Sequence, residues 1–322
     1  MDSARKRIVV TGMGINTPLG DTLDSYYDGL MAGKSAIRHW TCVETDGIYS
    51  KVGGDLSHYD HTDKLAAHKE ALPLDAFKRL RKLVKKAPFS TKLSMLCAVD
   101  AFVDADLAGK FDPARAALCI GGHNLNKNYH HKNLEQFREE PDYVDSLASL
   151  LSLDTDHAGS VGEVLGLNGP IYTVGGACAS GNIALRMAID EIRHHDHDVA
   201  IVVGAALEYT QLDLHAMALM GAISFQGFND EPTRASRPYD SKREGFVPSH
   251  GTGVLIIESL DHAQARGAKV YAEVLHASAM SDGSHLPSPS VGGQTRTMAR
   301  LLKQADVKPD ESASLTKTRP PP

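Results

Sequence analysis

The chain has 322 residues, of which 42% are hydrophobic and 23% charged, and its formal net charge at pH 7 is −6. These values predict a soluble globular protein of one large or two ordinary domains, and the acidic balance argues against general nucleic-acid binding. We expect no membrane span and no signal peptide, because no apolar run has the required length or position. The four cysteines lie far apart without CxxC pairs, which favours a reducing cytoplasm.

The predicted elements alternate between strands and helices. The run RIVVT (7–11) predicts a first buried strand, which is followed by the glycine-punctuated loop GMGINTPLG and a helix from Thr22 through Met31. Residues 33–73 show little periodicity. Further on, the pattern predicts a helix over 75–106, a strand at 116–122, a helical and irregular segment over 123–156, strands at 199–207, 251–259 and 270–279, and a helix over 292–305. Because the strands lack polar alternation, we expect a layered α/β fold with helices on both sides of the sheets.

The stretch IYTVGGACASGNIALRMAIDEIR (171–193) places Cys178 at a sharp junction between a strand and a helix. The β-prone residues 171–174 end at two glycines, and apolar residues recur at helical spacing from Ala179. The positive end of the helix dipole would stabilise a thiolate there, and a strained turn would expose it to substrate. The alternative is a small structural thiol packed under the glycine turn, and the spacing alone leaves both interpretations open.

Three other motifs have simpler explanations. The loop after the first strand has Gly12 and Gly14, but Thr17 stands where a dinucleotide-binding loop needs a third glycine, so we reject that interpretation. The histidines show no recognised ligand spacing, and we expect neither a metal nor a cofactor. The basic run KRLRKLVKK (78–86) is either a solvated helix face or a docking site for an acidic partner.

Several ordered segments together resemble one protein family. They are RIVVTGMGINTPLG at the start, GACASG (176–181), and MALMGAISFQGFNDEPTRASRPYDSKREGFV (217–247). In chain order from about Arg5 to Glu311, the sequence resembles the β-ketoacyl-[acyl carrier protein] synthase family, which has the thiolase-like α/β fold. The resemblance implies a layered α-β-α-β-α architecture. It divides the chain into an N-terminal half over 1–260 that carries the nucleophile, the start of a C-terminal half over 261–311, and a non-matching, disordered tail over 312–322.

The resemblance also implies a chemistry for Cys178. In the family this cysteine takes an acyl chain from a carrier-protein thioester, and a carbanion formed by decarboxylating a malonyl thioester then attacks the acyl-enzyme. The backbone amide of Cys178 would be one oxyanion donor. By position in the family's pattern, the residues expected to line the substrate pocket are Met217, Met220, Phe225 and His250.

The sequence departs from the family in two places. The family's two catalytic histidines, a supporting lysine and a second oxyanion loop lie beyond the point where this chain stops matching, so we expect impaired decarboxylation in the chain as written. We interpret the ending SASLTKTRPPP as a truncation, a frame change or a disordered terminus. His250 stands where the family usually has Glu in Gly-Glu-Gly-Ala-Gly, which suggests a specialised, polyketide-type branch.

The expected partners follow from the resemblance as well. We expect an acyl carrier protein to dock on the basic run through Arg81, Lys82, Lys85 and Lys86. We expect a homodimer in which residues 169–174 pair across the two-fold axis. Three alternatives remain: a non-catalytic subunit that pairs with a complete synthase, a malonyl-carrier decarboxylase, and a fragment that does not fold stably. The retained Cys178 favours condensation, because both non-condensing types usually lack the nucleophile.

Overall fold

The computed structural model describes residues 6–283 and 290–312. Its strands are β1 (Ile8–Asn16), β2 (Ile37–His39), β3 (Val52–Gly54), β4 (Ala116–Gly121), β5 (Ile171–Val174), β6 (Val199–Gly204), β7 (Thr252–Ser259) and β8 (Ala272–Glu273). Its helices are α1 (Leu23–Met31), α2 (Thr62–Ala71), α3 (Leu74–Val84), α4 (Phe89–Asp104), α5 (Lys127–Glu139), α6 (Ala148–Leu151), α7 (Thr155–Leu165), α8 (Ser180–His194), α9 (Gln211–Leu219), α10 (Leu260–Ala265) and α11 (Val291–Ala305).

Six of the strands form one mixed sheet in the order β5-β4-β6-β7-β1-β8, while β2 and β3 form a separate hairpin. Strands β5, β4 and β6 are mutually parallel, and β7 runs antiparallel to both β6 and β1. Strand β1 therefore points in the same direction as β4, β5 and β6. The carboxyl ends of these four strands meet at one edge of the sheet, where α/β folds usually place their ligands.

Helices cover both faces of the sheet. On one face, Ile120 of β4 packs in an apolar cluster with Leu96 of α4 and Val161 of α7. On the other face, Cys119 packs in a second cluster with Ala188 and other small and branched residues of α8. This confirms the predicted α/β fold with apolar strands covered on both sides. The described residues therefore form three of the expected layers, namely one large sheet between two layers of helices.

The first strand is longer than predicted, because residues 12–16 continue β1 rather than forming a loop. Gly12 and Gly14 lie directly under α4. A Cβ atom at Gly12 would lie 2.4 Å from the Ala101 carbonyl oxygen, and one at Gly14 would lie 2.3 Å from the Cys97 carbonyl oxygen. The two glycines thus permit close packing of a helix on a strand. In the sequence, the same closely spaced glycines are easily interpreted as a loop.

Two other predicted elements differ from the structure. The helix predicted over 75–106 is two helices, α3 and α4. Pro88 has no N–H to donate within a helix and disfavours helical geometry in the residue before it, so α3 ends at Val84 and α4 begins at Phe89. The strand predicted over 270–279 is reduced to β8, which pairs with only Val9 and Val10 of β1. The strands predicted at 116–122, 199–207 and 251–259 are confirmed, as are the helices after Thr22 and near 292–305.

The division of the chain at residues 260 and 311 stays a prediction, and the predicted tail lies outside the described residues except for Ser312. Within 6–283 and 290–312, no helix is long and apolar enough to cross a membrane. Over the same ranges, no group of three or more His, Cys, Asp or Glu side chains could hold a metal ion.

A buried polar network joins α4, α7 and the start of α5. The ring of His157 is completely buried; its Nδ1 lies 3.0 Å from Ser94 Oγ and its Nε2 lies 3.1 Å from Asn126 Oδ1. Asn126 Nδ2 also donates to the Leu151 carbonyl at 2.7 Å. Burial lowers the pKa of His157 from 6.5 to about 4. Near pH 5 the His157 ring is therefore neutral in the folded protein, whereas in the unfolded chain it is protonated.

We predict that the His157 ring makes the fold sensitive to mild acid. Because the unfolded chain binds the proton first, the free energy of unfolding should fall as the pH drops below about 6.5. His157 should account for about 2 kcal/mol of the decrease in the free energy of unfolding between pH 7.5 and pH 5. Urea unfolding of the protein and of a His157→Gln variant at both pH values measures it. Equal pH dependence in the two proteins would contradict this account.

Candidate active site

Cys178 lies in a strained turn between β5 and α8. Its neighbour Ala177 has a φ of 48°, a left-handed conformation that residues with a Cβ rarely adopt. Ser180 holds the turn, since its Oγ accepts the Gly176 N–H at 2.9 Å and donates to the Ala177 carbonyl at 2.7 Å. The Cys178 side chain is exposed. This arrangement matches the exposed turn predicted from the sequence and excludes a thiol packed under the glycines.

The turn depends on a close approach between the end of β4 and the first turn of α8. A Cβ atom at Gly121 would lie 2.6 Å from the Ser180 carbonyl oxygen and 2.8 Å from Gly181 Cα. These are backbone atoms, so they cannot move aside independently. Gly204 is paired with Gly121 at the end of β6, but a Cβ atom there would meet nothing closer than 3.7 Å. Of these two paired glycines, Gly121 is the one that the packing of α8 requires.

The other three thiols have different surroundings. Cys97 and Cys119 are completely buried, and Cys42 is half-buried. Burial raises the pKa of each of these thiols, to about 12 for Cys42 and Cys119. A buried, protonated thiol is a poor nucleophile. Among the four cysteines, only Cys178 is both exposed and located at the sheet edge.

The loop after β4 is fixed by Asp154. Its carboxylate accepts the backbone N–H of Asn124 at 2.9 Å and that of Leu125 at 2.8 Å, while its carbonyl accepts Thr173 Oγ1 at 3.2 Å. This ties β5 to the chain that follows β4. His123 lies next to the nucleophile turn, since a Cβ atom at Gly175 would be 3.2 Å from His123 Cβ.

His250 is buried in an aromatic cage, with an exposed fraction of 3%. The ring centroids of Phe89, Trp40 and Tyr209 lie 5.0, 5.2 and 5.8 Å from its own. Its Nδ1 accepts the Leu56 N–H at 3.1 Å, which joins the residues before β7 to those after the β2–β3 hairpin. Burial raises the pKa of Tyr209 to about 12, and interaction with nearby Cys178 adds to this shift.

The structure brings together only some of the predicted pocket residues. Met217 is half-buried and packs in the same apolar cluster as Trp40, so it shares a wall with His250. Phe225 stacks on Tyr49 at 5.7 Å in the neighbouring loop. Met220 is 62% exposed at the end of α9. The pocket roles of these residues stay predictions, and Met220 has the weakest support.

Trp40 and Tyr209 also belong to this region, although no sequence pattern indicated it. Trp40 lies in the segment with little periodicity, and Tyr209 follows a strand without any motif around it. Sequence analysis also missed the role of Glu244, whose carboxylate accepts the N–H groups of Phe225, Gln226 and Gly227 at 3.3, 3.0 and 2.7 Å. Through Glu244, the charged segment before β7 thus fixes the Phe225 loop.

The basic run covers the second part of α3 and the two residues after its end, and it has two distinct faces. Arg81, Lys82, Lys85 and Lys86 are all exposed. Arg79, by contrast, donates to the Glu163 carbonyl at 2.8 Å and so satisfies the end of α7. The four exposed residues, and not the whole run, are therefore available to a partner.

We predict that Gly121→Ala disrupts the nucleophile turn whereas Gly204→Ala does not. The added methyl group at position 121 must displace the start of α8, and we expect a loss of about 3 kcal/mol in the free energy of unfolding. At position 204 the same methyl group fits, so the change should stay below about 1 kcal/mol. Urea unfolding of both variants checks this, and equal stabilities would show that the close approach is not a constraint.

Comparison with known proteins gives a consistent result. A family model described as Beta-ketoacyl synthase, N-terminal domain, matches residues 5–263. The Polyketide biosynthesis malonyl-ACP decarboxylase PksF of Bacillus subtilis (strain 168) is 27% identical, over 94% of this chain and 70% of that protein. The 3-oxoacyl-[acyl-carrier-protein] synthase 2 of Vibrio cholerae serotype O1 is 30% identical, over 94% of this chain and 70% of that protein.

A solved structure supports the same assignment. The structure titled "The ishigamide ketosynthase/chain length factor" superimposes with a TM-score of 0.81 at 26% identity, over 96% of this chain and 72% of that chain. The large sheet with helices on both faces is therefore the fold of the thiolase-like ketosynthases. Because the family model also matches most of the sequence, the chain belongs to the β-ketoacyl synthase family of condensing enzymes.

Proposed function

We propose that the protein is a β-ketoacyl-[acyl carrier protein] synthase whose nucleophile is Cys178. The observation that carries this proposal is the strained turn that exposes Cys178 where the parallel strands end. In the first step the thiolate attacks the carbonyl of an acyl-carrier thioester. The new carbon–sulfur bond forms, the old one breaks, and the carrier sulfur leaves as a thiolate.

The backbone supports this step. The Cys178 N–H makes no hydrogen bond within the described part of the chain, so it is available as a donor to the oxyanion of the tetrahedral intermediate. In the second step a malonyl thioester loses CO₂, and its carbanion attacks the acyl carbon and releases the Cys178 thiolate. The expected impairment of this decarboxylation stays a prediction.

Acyl transfer to Cys178 tests the proposal directly. After incubation with an acyl-carrier thioester, the intact mass of the protein should increase by one acyl group, and peptide mapping should place that group on Cys178. Cys178→Ala should abolish the adduct, whereas Cys42→Ala should retain it, because the Cys42 thiol is half-buried and protonated. No adduct on a folded protein, or an adduct that survives Cys178→Ala, would overturn the proposal.

Decarboxylation without condensation is the second candidate. Its support is the relative named as a malonyl-ACP decarboxylase. The exposed Cys178 favours condensation, since decarboxylation alone needs no acyl-enzyme. A non-catalytic subunit beside a complete synthase is a third candidate, and one compared structure is titled as a ketosynthase/chain length factor. The same exposed thiol argues against that role.

We also propose that an acyl carrier protein docks on α3. The support is charge: Arg81, Lys82, Lys85 and Lys86 are exposed, and of these only Lys86 lies near enough to a described carboxylate, that of Asp145, to lower its pKa. Exposed cations steer an acidic partner toward this face.

Charge reversal on α3 should weaken carrier binding. We expect Arg81→Glu/Lys85→Glu to reduce the affinity for an acidic carrier protein at least tenfold at low salt, with a smaller reduction at high salt. Arg300→Glu/Lys303→Glu on α11 makes the same charge change elsewhere and serves as the control. Isothermal titration calorimetry measures both. Equal losses in the two variants would indicate only a general charge effect and would contradict docking on α3.

The edge position of β5 in the sheet supports a homodimer formed by pairing of two β5 strands. Strand β5 lies at the end of the strand order, so its outer edge carries no strand within the described residues, and Ile171 is exposed there. Unpaired edges readily accept another strand. The expected pairing of residues 169–174 across a two-fold axis, and the expected cytoplasmic location, stay proposals.

A further inference from the structure

A cavity of about 460 Å³ lies on the α4 side of the sheet, whereas α8, which follows Cys178, covers the other side. Its walls come from β1, the start of α1, α2, the end of α4 and the chain after α10. The lining residues that carry the argument are Asp21, Asp24, His68, Asp100, Asp104 and Lys269. The cavity is therefore separate from the nucleophile turn and takes no part in the proposed chemistry of Cys178.

Asp100 joins α4 to α2 in the cavity wall. Its Oδ2 accepts Lys64 Nζ at 2.6 Å, and its Oδ1 lies 2.7 Å from His68 Nε2. Lys64 is 8% exposed and His68 is 3% exposed. The negative charge of Asp100 is thus balanced within the protein by the buried Lys64.

The ring of His68 has one nitrogen without a partner. Because Nε2 donates to Asp100, the neutral ring carries its proton there and Nδ1 is an acceptor. Nδ1 is buried and accepts no hydrogen bond within the described part of the chain. An unsatisfied buried acceptor is costly, and such groups are rare in folded proteins. His68 therefore offers an acceptor to a ligand that carries N–H or O–H donors.

Two further carboxylates of the lining have neutral hydrogen-bond donors. Asp21 accepts the Tyr59 hydroxyl at 2.8 Å, and Asp104 accepts the Met13 N–H at 2.9 Å. Asp24 is exposed in the first turn of α1. These three aspartates add negative charge to the cavity that Lys64 does not balance.

Lys269 supplies the one Lys or Arg side chain among the described residues of the lining. Its Nζ donates to the Tyr271 hydroxyl at 2.7 Å, and that hydroxyl donates to Asp104 at 2.8 Å. The hydrogen bond to Tyr271, together with the charges of Asp104 and Asp24, raises the pKa of the exposed Lys269. Three carboxylates therefore face one ammonium group, and the cavity has an excess of negative charge.

This combination favours an organic cation over other ligands. The carboxylates would repel an anion. A metal ion is disfavoured, because within the described ranges no group of three or more His, Cys, Asp or Glu side chains could hold one. Apolar side chains complete the lining and would contact a short hydrocarbon chain, namely Leu23, Ala67, Ala71 and Val103. A small aliphatic amine combines the required charge, donors and hydrocarbon.

We propose that this cavity binds a small aliphatic amine, whose ammonium group is held by the carboxylates and by the free acceptor of His68 and whose carbon chain packs against α2 and α4. Hydrogen bonds from an ammonium group to a carboxylate are about twice as strong as those between neutral groups. The site is independent of the proposed function, because no described residue of the nucleophile turn lines the cavity.

Isothermal titration calorimetry of the full chain with butane-1,4-diamine and butane-1,4-diol tests the proposal. The two probes have the same carbon chain, and only the diamine is charged at pH 7.5. We expect the diamine to bind at least tenfold more tightly than the diol. Equal binding of the two probes, or no binding of the diamine at millimolar concentration, would overturn the proposal.

Four substitutions of exposed residues show whether the diamine occupies this cavity. Asp24→Asn should weaken its binding severalfold, whereas Asp28→Asn, on the same helix but outside the lining, should preserve it. Lys269→Met removes a competing cation and should strengthen binding severalfold, whereas Lys303→Met on α11 should not. Equal effects within either pair would indicate only general attraction of a cation to an acidic protein and would contradict binding in the cavity.

Discussion

The site depends on how closely the end of β4 can approach the start of α8. Gly121 leaves room for the Ser180 backbone at a distance that a Cβ atom could not tolerate. This contact places the first turn of α8 directly over the sheet, and the chain between β5 and α8 must then turn sharply, with Ala177 in a left-handed conformation. The strain at Ala177 is sustained by Ser180 and by the packing of α8 on both β4 and β6. Exposure of Cys178 is the consequence.

The same sheet edge explains why other functional groups gather near Cys178. Parallel strands deliver the segments after β4, β5 and β6 to one side, so the Asp154-fixed loop, the nucleophile turn and Tyr209 are neighbours although they are distant in sequence. The residues after the β2–β3 hairpin are joined to this edge by the hydrogen bond between Leu56 and His250. The nucleophile turn and Tyr209, which belongs to the aromatic cage around His250, therefore lie at the same edge of the sheet.

Sequence alone predicted the parts that rest on local patterns. The buried strands, the helix after Cys178 and the family were recognisable because apolar runs, turn glycines and ordered motifs are local signals. The extension of β1 through Gly12 and Gly14 was not, since those glycines serve contact with α4, which is remote in sequence. Tyr209 and Trp40 were missed for the same reason: their importance comes from a cage around His250 that forms only when distant segments meet.

The central claim is that the fold makes one thiol accessible and keeps the other three protonated or enclosed. The most direct measurement is the order in which the four cysteines react with limiting iodoacetamide in the native protein, read by peptide mass. The account predicts that Cys178 reacts first, that Cys42 follows slowly, and that Cys97 and Cys119 react only after unfolding. Reaction of Cys178 no faster than the buried thiols would contradict it.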